Sequence, residues 1–200
     1  MNRRGVVDLL ADLRQPDRLS CGASVLVAAR MLTDPAYARL FAPGDDRPAA
    51  FAREVLDLHR RVTGARDLAG RPQPPWPRAI GTPPWAVSRH LTVLSGVRHQ
   101  VRLVRPGPAV DDEVGRVRAA LAADHPVALF VGTRWLPRHV VLVTGASDDA
   151  WQVYEPASGR VVEVPLTRLR AHTLGLAGWD RPWFVVRPRR VRPPARRSPA

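Results

Sequence analysis

The chain has 200 residues, of which 45% are hydrophobic and 24% charged. This composition is typical of one globular domain and excludes a wholly disordered protein. No apolar run reaches the roughly 18 residues that a membrane-spanning helix needs, and Asp8 and Asp12 interrupt the opening segment too early for a signal peptide. A single cysteine excludes an internal disulfide, so we expect a reducing, cytoplasmic location.

The charge of the chain is concentrated in arginine. All 31 basic residues are Arg, against 18 acidic residues, which gives a formal net charge of +13. Six of these arginines lie between Arg187 and Ala200, where no acidic residue occurs. Such a stretch either binds nucleic acid or another anionic surface, or is a disordered soluble tail. Because no aromatic residue is interleaved there, the sequence favours the tail, and nucleic acid is not expected as a partner.

Hydrophobic spacing predicts helices first and strands later. Helical periodicity indicates helices over residues 4–14, 22–32, 47–63, 84–95 and 111–124, with a further turn or two over 166–172. Alternating or short apolar runs predict strands over 97–104, 127–131, 139–144, 151–154, 160–164 and 183–187. The fold class is therefore α+β, with a mostly antiparallel C-terminal sheet. We predict a single domain over residues 1–187 and a disordered Arg/Pro-rich tail over 188–200.

Other segments leave less definite expectations. Residues 33–46, which contain Pro and Gly, are predicted to be a loop. The Pro-rich segment 70–84 is either a domain boundary or an ordered crossing loop. Three histidines, His59, His90 and His99, are predicted to face solvent, because charged or polar residues surround them.

The stretch from Gln15 to Leu32 is the most informative part of the chain. It contains Cys21, with Ser20 as the predicted N-cap of a buried helix. A thiol on the first turn of a helix lies beside unpaired N–H groups that favour the nucleophilic thiolate. Gln15 could bring its amide to the same place. The alternative is an ordinary buried cysteine in the core.

A predicted hairpin supplies the partner groups. Residues 145–149 separate two β-rich runs, and a turn that is symmetric about Ser147 places His139 opposite Glu155. Cross-strand neighbours of this kind can hydrogen-bond, so the carboxylate would fix the tautomer of His139 and support its imidazolium form. A one-residue slip of the register would undo this pairing. Each residue taken alone could instead be an ordinary surface group.

Together these motifs resemble the papain-like cysteine peptidase superfamily, and within it the C39-like peptidases. The resemblance covers nearly all of residues 15–187. It rests on Gln15 with Cys21-Gly22, on the run from His139 to Gly145, and on Tyr154-Glu155-Pro156-Ala-Ser-Gly159 followed by a strand.

The resemblance implies a papain-like fold, in which a cysteine at a helix N-terminus packs on an antiparallel sheet. It also implies that Cys21 is the nucleophile, His139 the base and Gln15 the oxyanion-hole amide. Glu155 stands where the family has Asp or Asn. This departure predicts looser orientation of His139, because Glu is one methylene longer.

The expected activity is hydrolysis of a peptide or isopeptide bond through a Cys thioester, with a peptide or protein as substrate and with no metal or cofactor. Two alternatives stay open: a peptidase-like domain that only binds peptides, and an anionic-surface or nucleic-acid binder that uses the Arg-rich tail. The sequence does not indicate an oligomeric state.

Overall fold

A computed structural model of the chain describes residues 3–41, 44, 46–105 and 107–190. Within these residues the α-helices are α1 (Arg3–Leu10), α2 (Cys21–Thr33), α3 (Pro35–Ala38), α4 (Arg47–Val62), α5 (Pro84–Ser95), α6 (Ala109–Ala122) and α7 (Leu166–Ala171). The strands are β1 (His99–Leu103), β2 (Val127–Gly132), β3 (Pro137–Ala146), β4 (Ala150–Glu155), β5 (Arg160–Pro165) and β6 (Arg181–Pro188).

The strands form one six-stranded sheet in the order β1-β6-β2-β3-β4-β5. All five neighbouring pairs are antiparallel. The expectation of an α+β fold with a mostly antiparallel sheet is therefore confirmed. Every predicted strand is present within a few residues of its expected limits.

Two hydrophobic cores lie on opposite faces of the sheet. Alternate residues of β3 divide between them: Leu142 packs with the core of α2, α4 and α5, and Val141 packs with the core of α6 and α7. This alternation is the ordinary consequence of successive side chains pointing to opposite sheet faces. The sheet is thus covered by helices on both faces.

Helix α2 is the central helix of the first core. It consists almost entirely of small and aliphatic residues, and ten of its 13 residues are buried. Because no side of it is polar over its whole length, it can be surrounded by other elements. It packs between α4, α5 and β3.

Two loop expectations are resolved by backbone contacts. The Pro-rich segment is an ordered crossing loop: the Gln73 side-chain amide donates to the backbone oxygens of Val62 and Gly64, and the backbone N–H of Trp76 donates to the backbone oxygen of Thr63. The prediction of a loop over 33–46 was wrong at its start. Asp34 caps the short helix α3 through its side chain, and a 3₁₀ turn follows over Arg39–Phe41.

The prediction that three histidines face solvent was wrong. His59, His90 and His99 are each at most 7% exposed. The arginines next to His59 and His90 in the sequence lie on other sides of their helices. Charged neighbours in the sequence therefore do not indicate which way the histidine rings point. Both ring nitrogens of His99 face backbone oxygens, those of Val97 at 2.8 Å and Pro126 at 3.0 Å.

The C-terminal boundary also lies later than predicted. Strand β6 includes Pro188, and the Arg189 N–H donates to the backbone oxygen of Arg98. The tail prediction for 188–200 is therefore wrong at its start, because Pro188 belongs to the sheet and Arg189 is hydrogen-bonded to Arg98. Residues 191–200 lie outside the described part of the chain. None of the described helices combines the length and the apolar character needed to cross a membrane.

Candidate functional site

Cys21 is the first residue of α2 and is 5% exposed. At this position its sulfur lies at the end of the helix where backbone N–H groups have no partner within the helix. It is also part of the apolar core. Burial alone therefore does not separate a nucleophile from a structural cysteine, and the neighbours of the thiol decide the question.

Ser20 occupies the predicted N-cap position, but its side chain does not cap the helix. Its backbone angles, φ −97° and ψ 11°, differ from the extended conformation of a capping residue. The hydroxyl instead donates to the backbone oxygen of Asp17 at 3.3 Å. The prediction of a side-chain cap by Ser20 was wrong, although the helix begins where it was expected.

His139 and Glu155 meet across the predicted hairpin. Nε2 of His139 lies 2.7 Å from Oε1 of Glu155, and both residues are 5% exposed. Because Nε2 faces the carboxylate, Nδ1 is the ring nitrogen left for other partners. The contact that the sequence predicted between these two side chains is therefore present.

The register that led to this pairing was wrong. Val143 pairs with Val153, two residues from the predicted partner Trp151, and a bulge follows between Val143 and Gly145. An offset of two keeps each side chain on its face of the sheet, whereas an offset of one would reverse it. His139 and Glu155 therefore still meet, but diagonally, at a separation that a long side chain can span.

The turn after β4 holds the Glu155 carboxylate rigidly. The N–H of Ala157 donates to Oε1 and the N–H of Ser158 donates to Oε2, each at 2.7 Å. With the bond from His139 the carboxylate has three donors. The expectation of a loosely oriented His139 is wrong, because the longer Glu side chain crosses the diagonal and is fixed by backbone donors at its end.

The electrostatics of the three groups are strongly coupled. Burial opposes protonation of His139, but the interactions of the ring with Cys21 and with the Glu155 carboxylate outweigh burial and raise the pKa of the imidazole to about 9. Burial alone would raise the pKa of Glu155, but hydrogen bonds from His139, Ser158 and Ala157 lower it to about 2. At neutral pH the pair is therefore an imidazolium and a carboxylate, with Cys21 beside the same ring.

Gln15 is brought to the same region by its backbone. Its N–H donates to the oxygen of Pro156 at 2.7 Å, in the turn that holds Glu155. The side-chain Nε2 donates to the backbone oxygen of Asp17 at 2.8 Å, and Oε1 is buried without a partner. One N–H of the amide is thus occupied, and the second makes no hydrogen bond with any of the described residues.

The 155–159 turn also fixes the segment that leads to Gln15. The Tyr154 hydroxyl donates to the backbone oxygen of Leu13, and the Asp12 N–H donates to the oxygen of Gly159 at 3.0 Å. Gly159 has φ +67°, and a Cβ there would lie 2.8 Å from Cγ of Arg14. Only glycine fits this close approach with that backbone conformation. The same turn therefore positions both His139, through Glu155, and Gln15.

Sequence reasoning missed two parts of the site. It did not identify the backbone N–H groups of Ala157 and Ser158, although the Pro156-Ala-Ser-Gly159 turn signal could have indicated them. It also missed Thr82, whose side chain packs so closely on Gly22 that an added Cβ would lie 2.6 Å from the Thr82 Cβ. No local pattern predicts that contact, because it joins segments 60 residues apart.

The tryptophans have different positions. Trp76 and Trp85 pack edge to face, with ring centroids 4.8 Å apart, and so contribute to loop packing. Trp135, in the turn before β3, is 68% exposed, as is much of Leu136 beside it.

The described residues contain no group of three or more His, Cys, Asp or Glu side chains that could hold a metal ion. No protein-family model matches the chain, and no curated protein does. Cys21, His139, Glu155 and Gln15 are therefore the residues whose geometry bears on the function.

Proposed function

We propose that the protein is a cysteine peptidase with a papain-like fold, similar to C39-like peptidases, that cleaves a peptide or isopeptide bond. One observation carries the proposal: a single buried imidazole lies 2.7 Å from Oε1 of Glu155 and is also close enough to Cys21 for that side chain to raise its pKa. A nucleophile, a base and a carboxylate that orients the base are the groups that acyl transfer requires.

The first half of the reaction forms a thioester. The Cys21 sulfur attacks the substrate carbonyl carbon, and the C–N bond breaks as His139 gives its proton to the leaving amine. Because Glu155 stays ionised well below neutral pH, it stabilises the imidazolium at this step. The tetrahedral oxyanion accepts hydrogen bonds from the Cys21 N–H and from the second N–H of the Gln15 amide.

The second half releases the acyl group. Neutral His139 takes a proton from water, whose oxygen attacks the thioester carbonyl. The C–S bond breaks, the carboxylic acid product leaves, and the proton returns to the sulfur–imidazole pair. No metal or cofactor has a role in these steps.

The test combines a peptide electrophile with a peptide library. The full chain is incubated with a peptidyl vinyl sulfone and with a library of fluorogenic peptides, and the adduct is mapped by mass spectrometry. We expect one adduct, on Cys21, and turnover that the Cys21→Ala variant lacks. Cleavage that persists in Cys21→Ala, or a probe that never reaches Cys21 although the protein is folded, contradicts the proposal.

A second candidate is a peptide-binding domain without turnover. Two observations favour it. Gln15 Nε2 already donates to the backbone oxygen of Asp17, which leaves fewer N–H donors for a substrate oxyanion, and burial of Cys21 limits the access of a substrate carbonyl to the sulfur. Tight peptide binding that is equal in the wild type and in Cys21→Ser, with no acylation of the wild type, would favour this candidate.

A further inference from the structure

A cavity of about 510 Å³ lies at the β1 edge of the sheet, between β1, β6 and α6. Its lining is dominated by arginines that come from three parts of the chain: Arg102 of β1, Arg116 of α6, and Arg187, Arg189 and Arg190 at the C-terminal end of the described residues. The sheet thus collects guanidinium groups that are up to 88 residues apart in the sequence. We call this cavity the arginine groove.

The buried end of the groove has its charge neutralised. Arg187, 3% exposed, donates from Nε and Nη2 to the two oxygens of Glu113, both at 2.7 Å. Arg116 lies 3.6 Å from the same carboxylate. Glu113 is therefore shared by two arginines and leaves an excess of positive charge.

The outer part of the groove has no neutralising partner. Arg102, Arg189 and Arg190 are exposed and make no ion pair with any of the described residues. Like charges that converge without counter-charges are unfavourable in an isolated protein, and an anionic ligand would offset this repulsion.

The chemistry of the lining selects among anions. Arginine forks match phosphate oxygens in two-point contacts. Among the described residues, no aromatic side chain lines the groove, and its apolar lining is limited to Ala119 and Pro188. It therefore offers neither a stacking surface for bases nor pockets for peptide side chains, and its contacts are those of a backbone of repeated charges.

The chain continues the same charge beyond the groove. Residues 191–200 contain three further arginines, Arg192, Arg196 and Arg197, and no acidic residue. A ligand that pairs with several of the groove's guanidinium groups at once has to be extended and uniformly anionic. A nucleic acid has this property along its whole length.

We propose that the arginine groove binds the phosphate backbone of a nucleic acid without base specificity. This differs from the expectation from the sequence, which considered the tail alone and did not include Arg102 and Arg116. The groove is separate from the cysteine site: β6 and β2 lie between β1 and β3, which places the strands roughly 14 Å apart. The proposal therefore stands or falls independently of the peptidase proposal.

The test is fluorescence anisotropy of the full chain with labelled 20-nucleotide single strands of two unrelated sequences, from 50 to 200 mM salt. About four phosphate contacts predict a slope of log affinity against log salt near −3, which is roughly a 60-fold loss over this range. The Arg102→Gln/Arg189→Gln variant should lose at least about tenfold in affinity for both sequences and about 1.4 in slope. Both side chains are exposed and unpaired, so the melting temperature should not fall.

Three controls make the result decisive. Arg53→Gln/Arg60→Gln removes two exposed charges from α4, on the other face of the sheet, and should change the affinity less than threefold. Replacement of Arg192, Arg196 and Arg197 by Gln should leave binding that still depends on Arg102 and Arg189. Cys21→Ala should bind as the wild type does.

The proposal is overturned if the groove variant binds like the wild type, or if the α4 variant loses as much affinity. It is also overturned if binding disappears entirely with the three arginines of the continuation. If poly-glutamate of matched charge, or inorganic phosphate at millimolar concentration, displaces the oligonucleotide as efficiently as unlabelled nucleic acid, the groove is a general anion site and the nucleic-acid assignment is wrong.

Discussion

Two buried ion pairs of equal length in this molecule differ in the chemistry of their cationic side chains. His139 and Glu155 are 2.7 Å apart, and so are Arg187 and Glu113, and the cationic side chains are 5% and 4% exposed. Arginine keeps its proton under all ordinary conditions, so the second pair can only hold α6 against β6. Histidine can release its proton, and His139 interacts with Cys21 as well as with Glu155.

The comparison shows that distance and burial do not define a catalytic pair. A buried carboxylate paired with a permanently charged cation can act only as a structural contact, whereas a carboxylate paired with a titratable cation beside a cysteine is the arrangement that the proposed reaction requires. Substitutions in the two pairs should therefore have different effects.

The largest expected effect is on catalysis by the first pair. Glu155→Gln keeps the shape of the side chain but removes the charge that supports the imidazolium, so kcat/KM for peptide hydrolysis should fall about 10³- to 10⁴-fold. Glu113→Gln is the matched control, because it changes the other buried carboxylate in the same way. Its folded fraction should keep the wild-type kcat/KM, and an equal loss in both variants would contradict the distinction.

The second effect is on stability through the other pair. Arg187→Leu leaves Glu113 buried beside only the more distant Arg116, which should lower the free energy of unfolding by about 3–5 kcal/mol. Urea denaturation measures this loss. Arg187→Leu/Glu113→Leu should recover much of it, because no unpaired charge remains. A double variant no more stable than Arg187→Leu would show that the ion pair is not what Arg187 contributes.

The third effect is a pH dependence that only the first pair can have. The pKa of folded His139 is raised to about 9 from an ordinary value of 6.5, so its contribution to stability is complete below about pH 6.5 and is lost as the pH rises through about 9. Relative to His139→Gln, the wild type should lose up to about 3 kcal/mol of unfolding free energy between pH 6 and pH 9.5.

Urea denaturation at both pH values, on both proteins, checks this expectation. The difference between Arg187→Leu and the wild type, measured over the same range, should stay constant and serves as the control. A difference between His139→Gln and the wild type that is flat with pH would mean that the imidazole gains nothing from its partners.

The smallest effect is on the turn that supports the first pair. Gly159→Ala forces a side chain into a conformation with φ +67° and into contact with Arg14 and the backbone of residues 12–13. We expect a loss of about 1–3 kcal/mol in stability and a lower kcat at unchanged pH optimum. Gly107→Ala, also at positive φ but with nothing within 4 Å, isolates the conformational part of the cost. Equal losses of unfolding free energy in the two variants would show that the close contact at Gly159 does not contribute to the cost of the substitution.

Much of the fold could be predicted because local patterns coincide with the tertiary structure. The buried helix of Cys21 and the hairpin about Ser147 follow from small apolar residues and from turn chemistry. The predicted contact between His139 and Glu155 survives an incorrect register because the offset is two residues. Because side chains alternate between the two faces of a sheet, a register error of two residues leaves every side chain on its predicted face. His139 and Glu155 are therefore in contact although the predicted register was wrong.

The rest depends on contacts that sequence spacing does not contain. The burial of His59 and His90 depends on which elements cover their helices. The packing of Thr82 on Gly22 and the convergence of Arg102, Arg116 and Arg189 each join distant segments. The orientation of Glu155 by the Ala157 and Ser158 N–H groups is decided by backbone geometry that the residue types only suggest.

The most direct test of the central claim is the rate at which iodoacetamide alkylates Cys21 as a function of pH, in the wild type and in His139→Ala. We predict that the wild type reacts well below pH 7 with a rate that changes little up to pH 8, and that His139→Ala reacts only as the pH approaches about 8.5, the ordinary range of a thiol. Identical profiles, both rising only near pH 8.5, would contradict the account, because Cys21 would then be a buried core residue that His139 does not activate.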